Sequence, residues 1–260
     1  MPKFSIVTVV RNDLDGLRKT AESVCVQQLD DYEWIVIDGA SSDGTIAYLN
    51  SLQLNSLKWI SESDRGIYDA MNKGILLSRG EYLVFLNAGD TFPAANTLHL
   101  VNQSILSAAN PGVLFGGTEY VFPDGKSLFR APKIISKCIW HGLPANHQAS
   151  YYSRGALNGF LYDLKYRICG DYYLAAQMYK KKCGVAYLDV PLVKFSVGGA
   201  SYVNRIPLFL EPYAIQRDVL GQPLFWRLVS FVKRGISTMG MIALQNLHRV
   251  KRPVINPPLP

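Results

Sequence analysis

Strand and helix patterns alternate over the first hundred residues, and this alternation restricts the fold more than any other feature of the sequence. Short runs rich in β-branched residues, such as Phe4–Val10 and Trp34–Ile37, are each followed by turn residues. Patterns of spaced apolar residues that are typical of helices cover Leu14–Gln28 and Ile67–Leu77. Two more strand runs are Lys58–Ile60 and Tyr82–Leu86. This order predicts βαβ units, and therefore a parallel sheet joined by right-handed crossovers.

The second half of the chain contains more strand patterns than helix patterns. The strand runs are Val113–Phe115, Tyr120–Phe122, Ala186–Leu188 and Leu192–Phe195. Helix patterns lie near residues 95–108 and 171–182. We therefore expect an α/β fold with a mixed, mostly parallel sheet flanked by helices.

Length and composition are compatible with one large α/β domain, or with a domain plus a small appendage. The 260 residues are 48% hydrophobic and 18% charged, as in ordinary folded proteins. The four cysteines contain no Cys-x-x-Cys pair, which excludes a thiolate zinc site of the usual spacing and argues against a disulfide framework. The sequence also predicts no signal peptide and no spanning helix, because its apolar runs are too short.

Positive charge is concentrated at the carboxyl end. Residues 1–204 contain 19 Lys and Arg against 18 Asp and Glu, whereas residues 205–260 contain 8 against 2. The second segment also shows a helical apolar stripe that consists of Leu224, Phe225, Leu228, Val229, Val232 and Ile236. The final stretch from Pro253 is expected to be extended or disordered. Lipid, nucleic acid or plain solvation would explain such a basic tail.

Acidic and small residues follow the second predicted strand, in the segment Asp38–Thr45. Ligands of open α/β sheets bind beyond the carboxyl ends of the strands. A carboxylate such as Asp38 accepts hydrogen bonds from a base or a ribose, and Gly39 permits close approach. The alternative is an ordinary turn in which Ser42 or Asp43 caps the next helix.

The fourth predicted strand delivers Asn87 and Asp90 to the same edge of the sheet. Oxygen ligands of this kind suit Mg²⁺ or Mn²⁺, although Asn, Gly and Asp also form turns. Between the two strand ends, Asp69, Asn72 and Lys73 share one face of a predicted helix. This face suits a diphosphate or a sugar, unless it is a solvated face with an Asp69–Lys73 ion pair.

Two later segments place ionisable groups among apolar or aromatic residues. They are Asn146–Gln148 and Ile168–Tyr173. Burial near aromatic rings raises the pKa of a carboxylate such as Asp171, which suits a general base. Alternatively, Asp171 only caps the helix that begins near Tyr172.

Six blocks of the sequence, in a fixed order, carry a family resemblance. They are Phe4–Asn12, Ile35–Thr45, Ser61–Gly74, Phe85–Asp90, His147–Gln148 and Gly170–Tyr172. Together they resemble family 2 glycosyltransferases of the GT-A fold. The closest resemblance is to bacterial exopolysaccharide and O-antigen enzymes, such as the colanic-acid glycosyltransferases. It covers roughly residues 1–204, with a nucleotide-sugar half at about 1–110 and an acceptor half at about 111–204. A basic helical extension would follow at 205–260.

The resemblance implies an inverting hexosyl transfer from a nucleoside-diphospho-sugar, for which we favour UDP-glucose or UDP-galactose. Asp171 stands where the family has its catalytic base, which deprotonates the acceptor hydroxyl. The donor-binding residues would be Asp38, Gly39, Asp43, Arg65, Asp69, Asn72 and Lys73, with the backbone at Thr8, Val9 and Arg11 alongside the base. Asp90 and Asn87 would hold Mn²⁺ or Mg²⁺, although the carboxylate-rich metal motif of the family is reduced here to Asp90. The acceptor or donor-sugar side would be lined by His147, Gln148 and Tyr172.

The resemblance also implies a location and partners. Such enzymes build polysaccharide repeats on a polyprenyl diphosphate at the inner leaflet, so we expect a cytoplasmic protein on the inner membrane. The basic tail would then lie on anionic lipid, without a nucleic-acid partner. The alternative for the tail is a packing helix that closes the acceptor side, and both interpretations are compatible.

Other classes of protein remain as alternatives. A dinucleotide-dependent oxidoreductase is disfavoured because no Gly-x-Gly-x-x-Gly turn follows the first strand. A nucleotidyltransferase would be expected to have a loop rich in glycine and lysine at that place. A non-catalytic nucleotide-sugar binding subunit is disfavoured by the presence of Asp90 and Asp171.

Overall fold

A computed structural model describes residues 1–197 and 207–235 of the chain. In its first half, strands and helices alternate as predicted. The elements of the first half are β1 (Phe4–Val10), α1 (Leu14–Cys25), β2 (Tyr32–Asp38), α2 (Thr45–Ser51), β3 (Leu57–Ser61), α3 (Ile67–Leu77), β4 (Tyr82–Phe85) and α4 (Thr97–Ser107). The remaining elements are β5 (Val113–Val121), β6 (Ser127–Arg130), α5 (Ile135–Cys138), a 3₁₀ turn (His147–Ala149), β7 (Ser150–Ser153), α6 (Arg154–Leu157), α7 (Gly170–Lys180), β8 (Val185–Ser196) and α8 (Pro207–Asp218). A further helix, α9, includes residues 224–235.

All eight strands belong to one mixed sheet. Its order is β3-β2-β1-β4-β7-β5-β6, and β8 lies outside this order and pairs with β5. The strands β7 and β6 pair with successive parts of β5, whereas β8 pairs with it from Val113 to Val121. The first four strands are parallel, as predicted, and β8 is parallel to β5. The pairs β4–β7, β5–β7 and β5–β6 are antiparallel. The predicted α/β class with a mostly parallel mixed sheet is therefore confirmed.

The strands β5 and β8 are longer than the sequence predicts. Each was predicted as two short runs, because glycines or a polar stretch interrupt the apolar pattern. Gly116 and Gly117 lie at a register shift inside β5, where side chains pack directly on the backbone. A Cβ added to Gly116 would lie 2.2 Å from Leu192 Cδ1, and one added to Gly117 would lie 2.4 Å from Phe129 Cε2. These glycines therefore continue the strand instead of ending it.

Apolar layers cover both faces of the sheet, so all seven residues of β1 are buried. On one face, Phe4 and Trp34 pack with Leu17 and other residues of α1. On the opposite face, Val7 packs with α3. Gly74 of α3 permits this close contact, since a Cβ there would lie 2.3 Å from Val7 Cγ1. The sheet edge that carries the strand ends is thus held between two packed layers.

Part of the predicted basic extension packs on the domain. In α8, Ile215 is fully buried and joins the core cluster that contains α7. In contrast, α9 exposes most of the predicted apolar stripe, including Leu224, Phe225, Leu228 and Val232. The boundary predicted at 204, Ile236 and the segment from Pro253 lie outside the described residues. No helix within the described ranges is both long and apolar enough to cross a membrane.

Candidate active site

The ends of the parallel strands meet at one edge of the sheet. Val10 of β1 is level with Asp38 of β2, and Asp38 is level with Ser61 of β3. On the other side of β1, the N–H of Ala88 after β4 donates to the carbonyl of Val9 at 3.2 Å. The loops that follow β1, β2, β3 and β4 therefore surround a common space beyond the sheet.

Asp38 is a buried carboxylate with one unused oxygen. Its Oδ2 accepts hydrogen bonds from the Ser41 N–H at 3.0 Å and from the Ser61 hydroxyl at 2.6 Å. Its Oδ1 is buried and has no hydrogen-bond partner within the described residues. A buried acceptor without a partner is costly in a folded protein and is a frequent mark of a ligand site. The site therefore retains one acceptor for an incoming N–H or O–H donor.

Asp43 holds two loops together. Its Oδ2 accepts from the Leu14 N–H at 2.9 Å, and its Oδ1 accepts from both the N–H and the hydroxyl of Thr45. The hydrogen bond from the Thr45 hydroxyl is the main cause that lowers the pKa of Asp43. Asp43 thus behaves as the turn-capping residue of the alternative interpretation, and it supports the Asp38 loop from outside.

Among the other residues predicted to bind the donor near the first two loops, some are buried in the core and others lie at the surface. The Thr8 hydroxyl is buried and accepts from Trp34 Nε1 at 2.9 Å, and Val9 belongs to the core cluster. Their side chains are therefore not available at the edge of the sheet, and the role expected of their backbone beside the base stays a prediction. Arg11 is exposed, and Gly39 lies against it, because a Cβ on Gly39 would be 3.3 Å from Arg11 Cβ.

The polar face of α3 was predicted either to bind a diphosphate or sugar, or to carry an Asp69–Lys73 ion pair. In the structure its residues pair with other parts of the chain instead. Asp69 forms an ion pair with Arg65 at 3.2 Å, and Lys73 forms one with Glu62 at 2.9 Å. Asn72 exchanges two hydrogen bonds with the backbone of Tyr162, at 2.9 and 2.7 Å. Arg65 remains largely exposed, so a diphosphate can still reach it, whereas Asn72 is a structural clamp.

Asp90 is the second buried carboxylate at this edge. Its Oδ2 accepts from Gln148 Nε2 at 3.1 Å, and its Oδ1 accepts from the Ser196 N–H at 3.1 Å. Burial raises the pKa of Asp90 to about 7, and the charge of Asp13 contributes to this rise. A carboxylate that burial disfavours in its charged form gains from a nearby cation.

The surroundings of Asp90 fit a hard divalent cation. Asn87 Oδ1 and Gln148 Oε1 are both buried without a hydrogen-bond partner in the described chain. Amide and carboxylate oxygens are the ligands that Mg²⁺ and Mn²⁺ accept from proteins. Asp13, which sequence reasoning missed, is the N-cap of α1, and its charge acts on Asp90 from the loop after β1. Across the described residues, no group of three or more His, Cys, Asp or Glu side chains is placed to hold a metal.

His147 lies in the core, which differs from its predicted place on the acceptor or donor-sugar side. Its ring stacks on Phe85 with centroids 4.7 Å apart, and its Nε2 lies 3.0 Å from the Tyr162 hydroxyl. Burial lowers the pKa of His147 to about 3, so the ring is neutral. Its neighbour Gln148 reaches the site, through the hydrogen bond to Asp90.

Asp171 lies in the first turn of α7, and it is only half-buried. Its Oδ1 accepts from the N–H of Tyr172 at 2.7 Å, and its Oδ2 makes no hydrogen bond with the described residues. Burial raises the pKa of Asp171 to about 6, although the Tyr172 N–H and the charge of Arg234 oppose this rise. A carboxylate with a free oxygen and a raised pKa has the properties of a general base. The Tyr172 hydroxyl, in contrast, donates to the Ile139 carbonyl and is buried, so it does not line the acceptor side as predicted.

Glu211 of α8 holds the loop that leads to Asp171, and sequence reasoning missed it. Its carboxylate accepts from three successive backbone N–H groups, those of Arg167 at 2.8 Å, Ile168 at 3.0 Å and Cys169 at 2.7 Å. Three charge-assisted hydrogen bonds to one carboxylate define the position of a loop strongly. The extension therefore contributes directly to the geometry of the predicted catalytic base.

Replacing Glu211 by alanine is expected to lower the free energy of unfolding by about 3 kcal/mol, because three backbone donors lose a charged acceptor. Denaturant unfolding of the full chain measures this change. Glu22→Ala, at an exposed position of α1, should stay within about 0.5 kcal/mol of the parent. Equal stability of the two variants would show that Glu211 does not anchor the loop.

Comparison with known proteins places this site in a family. The model of the family described as "Glycosyl transferase family 2" matches residues 5–151 of the chain. The protein named "Uncharacterized glycosyltransferase Rv1514c" of Mycobacterium tuberculosis is 33% identical over 175 residues, which cover 65% of this chain and 66% of the relative, just under two thirds of its length. The "PGL/p-HBAD biosynthesis glycosyltransferase Rv2957" of the same organism is 28% identical over 226 residues, or 80% of this chain and 85% of the relative.

Solved structures share the fold. Staphylococcus aureus TarS 1–349, in complex with UDP-GlcNAc, has a TM-score of 0.70 at 17% identity, with 90% of this chain and 73% of TarS 1–349 covered. The mannosyltransferase PcManGT from Pyrobaculum calidifontis, in complex with GDP-Man and Mn²⁺, has a TM-score of 0.64 at 15% identity, with coverages of 97% and 81%. At these identities the likeness concerns the fold, and it agrees with the predicted GT-A architecture.

The family predicted from six sequence blocks is thus confirmed, whereas the closer likeness to exopolysaccharide and O-antigen enzymes stays a prediction. The match covers more than half of the 260 residues, and it includes the strand ends that carry Asp38 and Asp90. This chain belongs to glycosyl transferase family 2.

Proposed function

We propose that this glycosyltransferase moves a hexose from a nucleoside-diphospho-sugar to a lipid-linked saccharide, with inversion at the anomeric carbon. The proposal rests mainly on three carboxylates that each suit a different part of this reaction. Asp38 retains an unused buried oxygen, Asp90 is flanked by unpartnered amide oxygens, and Asp171 combines a free oxygen with a raised pKa.

The donor is best described as a UDP-hexose such as UDP-glucose or UDP-galactose. Uracil offers one imide N–H, which matches the single unused oxygen of Asp38. Guanine offers two adjacent donors that pair best with both oxygens of a carboxylate, and Asp38 Oδ2 already accepts from Ser41 and Ser61. TarS with UDP-GlcNAc and PcManGT with GDP-Man show that related folds bind both nucleotides. The occupied Oδ2 therefore favours uracil in this chain.

Asp171 is the proposed base for the transfer step. Its Oδ2 removes the proton from the acceptor hydroxyl, whose oxygen attacks the anomeric carbon opposite the departing diphosphate. A single displacement converts an α-linked donor into a β-glycoside. Asp90, with Asn87 and Gln148, would hold Mn²⁺ or Mg²⁺, which when bound stabilises charge on the leaving diphosphate. The exposed side chain of Arg65, in the loop after β3, would contribute positive charge toward the leaving diphosphate.

The acceptor is proposed to be a saccharide on a polyprenyl diphosphate, in the assembly of a bacterial surface polysaccharide. The exposed apolar side chains of α9 support this assignment, because they suit contact with a membrane surface. Arg227 on the same helix adds positive charge that suits anionic headgroups. The enzyme would then work on the cytoplasmic face of the inner membrane as a peripheral protein.

A donor screen tests the proposed nucleotide. With Mn²⁺ present, UDP-hexoses should raise the melting temperature more than GDP- or TDP-sugars do, because a ligand that binds the folded state stabilises it. Asp38→Asn places an amide where an acceptor is needed, so the Kd for the UDP-sugar should rise about tenfold, or about 1.4 kcal/mol. Asp30→Asn, near the opposite end of β2, is the matched control. Preferential stabilisation by GDP-sugars, or equal Kd values for both variants, would refute the role of Asp38.

A further inference from the structure

A group of basic side chains lies beside the proposed base and has no role in donor binding. It combines Lys133 and His141, from the segment around α5, with Lys233 and Arg234 of α9. Burial lowers the pKa of His141 to about 4, and the nearby charges of Lys233, Lys133 and Arg234 contribute to this decrease. Arg234 also acts on Asp171, whose pKa it lowers. The group therefore lies between α9, the α5 segment and the amino end of α7.

Direct contacts fix the positions of Arg234 and Lys233 in this group. An Arg234 amino group donates to the His141 carbonyl, and the guanidinium carbon lies 5.4 Å from the centre of the Tyr172 ring. Lys233 Nζ lies 5.1 Å from the centre of the Trp140 ring. Gln216 of α8 joins the segments, because its Nε2 donates to the Trp140 carbonyl at 2.9 Å and to the hydroxyl of Ser230 at 2.8 Å.

The cations of this group form no close ion pair in the described part of the chain, although the charge of Arg234 acts on Asp171. Neither Lys133, Lys233 nor Arg234 forms an ion pair there. In addition, Arg234 Nε and His141 Nδ1 are buried without hydrogen-bond partners among these residues. The unpaired Nε–H of Arg234, beside the positive charges of Lys133 and Lys233, matches the needs of an anion with several acceptor oxygens.

We propose that Lys133, His141, Lys233 and Arg234 form a phosphate subsite for the diphosphate of the acceptor lipid, beside Asp171. The proposal rests on the proposed function and names how its acceptor is recognised. The exposed apolar side chains Leu224, Phe225, Leu228 and Val232 belong to the same helix as Lys233 and Arg234. Lipid chains can therefore lie along α9 while the phosphates contact the basic group and the attached sugar reaches Asp171.

The test measures binding of farnesyl diphosphate to the full chain by calorimetry, with saturating UDP present to occupy the donor site. Lys233→Gln and Lys133→Gln should each raise the Kd about tenfold, because each removes one charge that faces the phosphates. Both side chains are exposed, so the fold should persist. Lys180→Gln removes an equal charge at the far end of α7 and should leave the Kd unchanged. Binding that UDP abolishes, or that the Lys133 and Lys233 variants do not weaken, would overturn the subsite.

Vesicles distinguish the acceptor lipid from bulk phospholipid. Lys233→Gln should weaken binding to phosphatidylcholine vesicles that contain a polyprenyl phosphate more than binding to those that contain phosphatidylglycerol. Equal weakening of the two would assign the basic group to general headgroup binding and overturn the proposal. The measurements use no turnover, so a chain that lacks transferase activity can still show the subsite. Conversely, if the enzyme is an active transferase but its Lys133 and Lys233 variants bind farnesyl diphosphate as the parent does, the phosphate subsite does not exist.

Discussion

Replacement of Asp171 by asparagine is expected to lower kcat about 1000-fold and to leave donor binding unchanged. Asparagine keeps the size of the side chain and an acceptor for the Tyr172 N–H, but it cannot remove a proton from the acceptor hydroxyl. The rate is measured under single-turnover conditions, and donor binding by thermal stabilisation. Asp163→Asn, in the preceding loop, is the matched control and should retain its rate. If Asp171→Asn retained more than about a tenth of the parent rate, the assignment of the base would be wrong.

The raised pKa of Asp171 adds a pH dependence to this prediction. Because burial raises the pKa to about 6, the base is protonated at lower pH, and kcat should fall about tenfold per unit below pH 6. The asparagine variant should lack this slope. A carboxylate whose pKa is raised on folding contributes stability below its unfolded value of about 3.9, and this contribution is lost as the pH rises through 6. The variant should therefore be no less stable than the parent at pH 8.

Replacement of Asp90 by asparagine is expected to lower kcat about 100-fold and to remove Mn²⁺ binding at micromolar concentrations. The change removes the negative charge from the oxygen-rich group that includes Asn87 and Gln148. Electron paramagnetic resonance of Mn²⁺ measures binding without reference to activity. Asp15→Asn, exposed in the first turn of α1, should bind Mn²⁺ as the parent does.

The charge state of Asp90 also makes metal binding depend on pH. Burial and Asp13 raise its pKa to about 7 in the free protein, so protons compete with the cation below that pH. Affinity for Mn²⁺ should therefore decrease as the pH falls from 8 to 6. An Asp90→Asn enzyme that remained fully active in a chelator would show that this carboxylate holds no metal.

The parallel half of the sheet could be predicted because each of its elements is encoded locally. The helix Ile67–Leu77 and the strand Phe4–Val10 have the bounds that the sequence pattern predicts. The carboxyl ends of parallel strands meet at one edge of the sheet, so the placement of Asp38 and Asp90 at the same edge follows from the βαβ pattern. The second half was predicted less well, since packing of Leu192 and Phe129 on the glycines of β5 does not appear as a local pattern.

The partners of individual side chains could not be predicted, because they depend on contacts between distant segments. Asn72 was predicted to face a ligand, but its amide matches the backbone of Tyr162, 90 residues away. His147 was predicted to lie beside the acceptor, but its ring stacks on Phe85 in the core. Glu211 had no local signal, since a glutamate in a basic tail resembles any solvated charge until the loop at 167–169 is seen beside it.

The anomeric configuration of the product tests the central claim most directly. The enzyme is incubated with an α-linked UDP-hexose, Mn²⁺ and a saccharide acceptor on a short polyprenyl diphosphate, and the new linkage is assigned by proton NMR. Single displacement with Asp171 as base predicts a β-linkage in the parent and its disappearance in Asp171→Asn. An α-linked product would contradict the account, because retention requires a different mechanism from one in which a single base activates the acceptor.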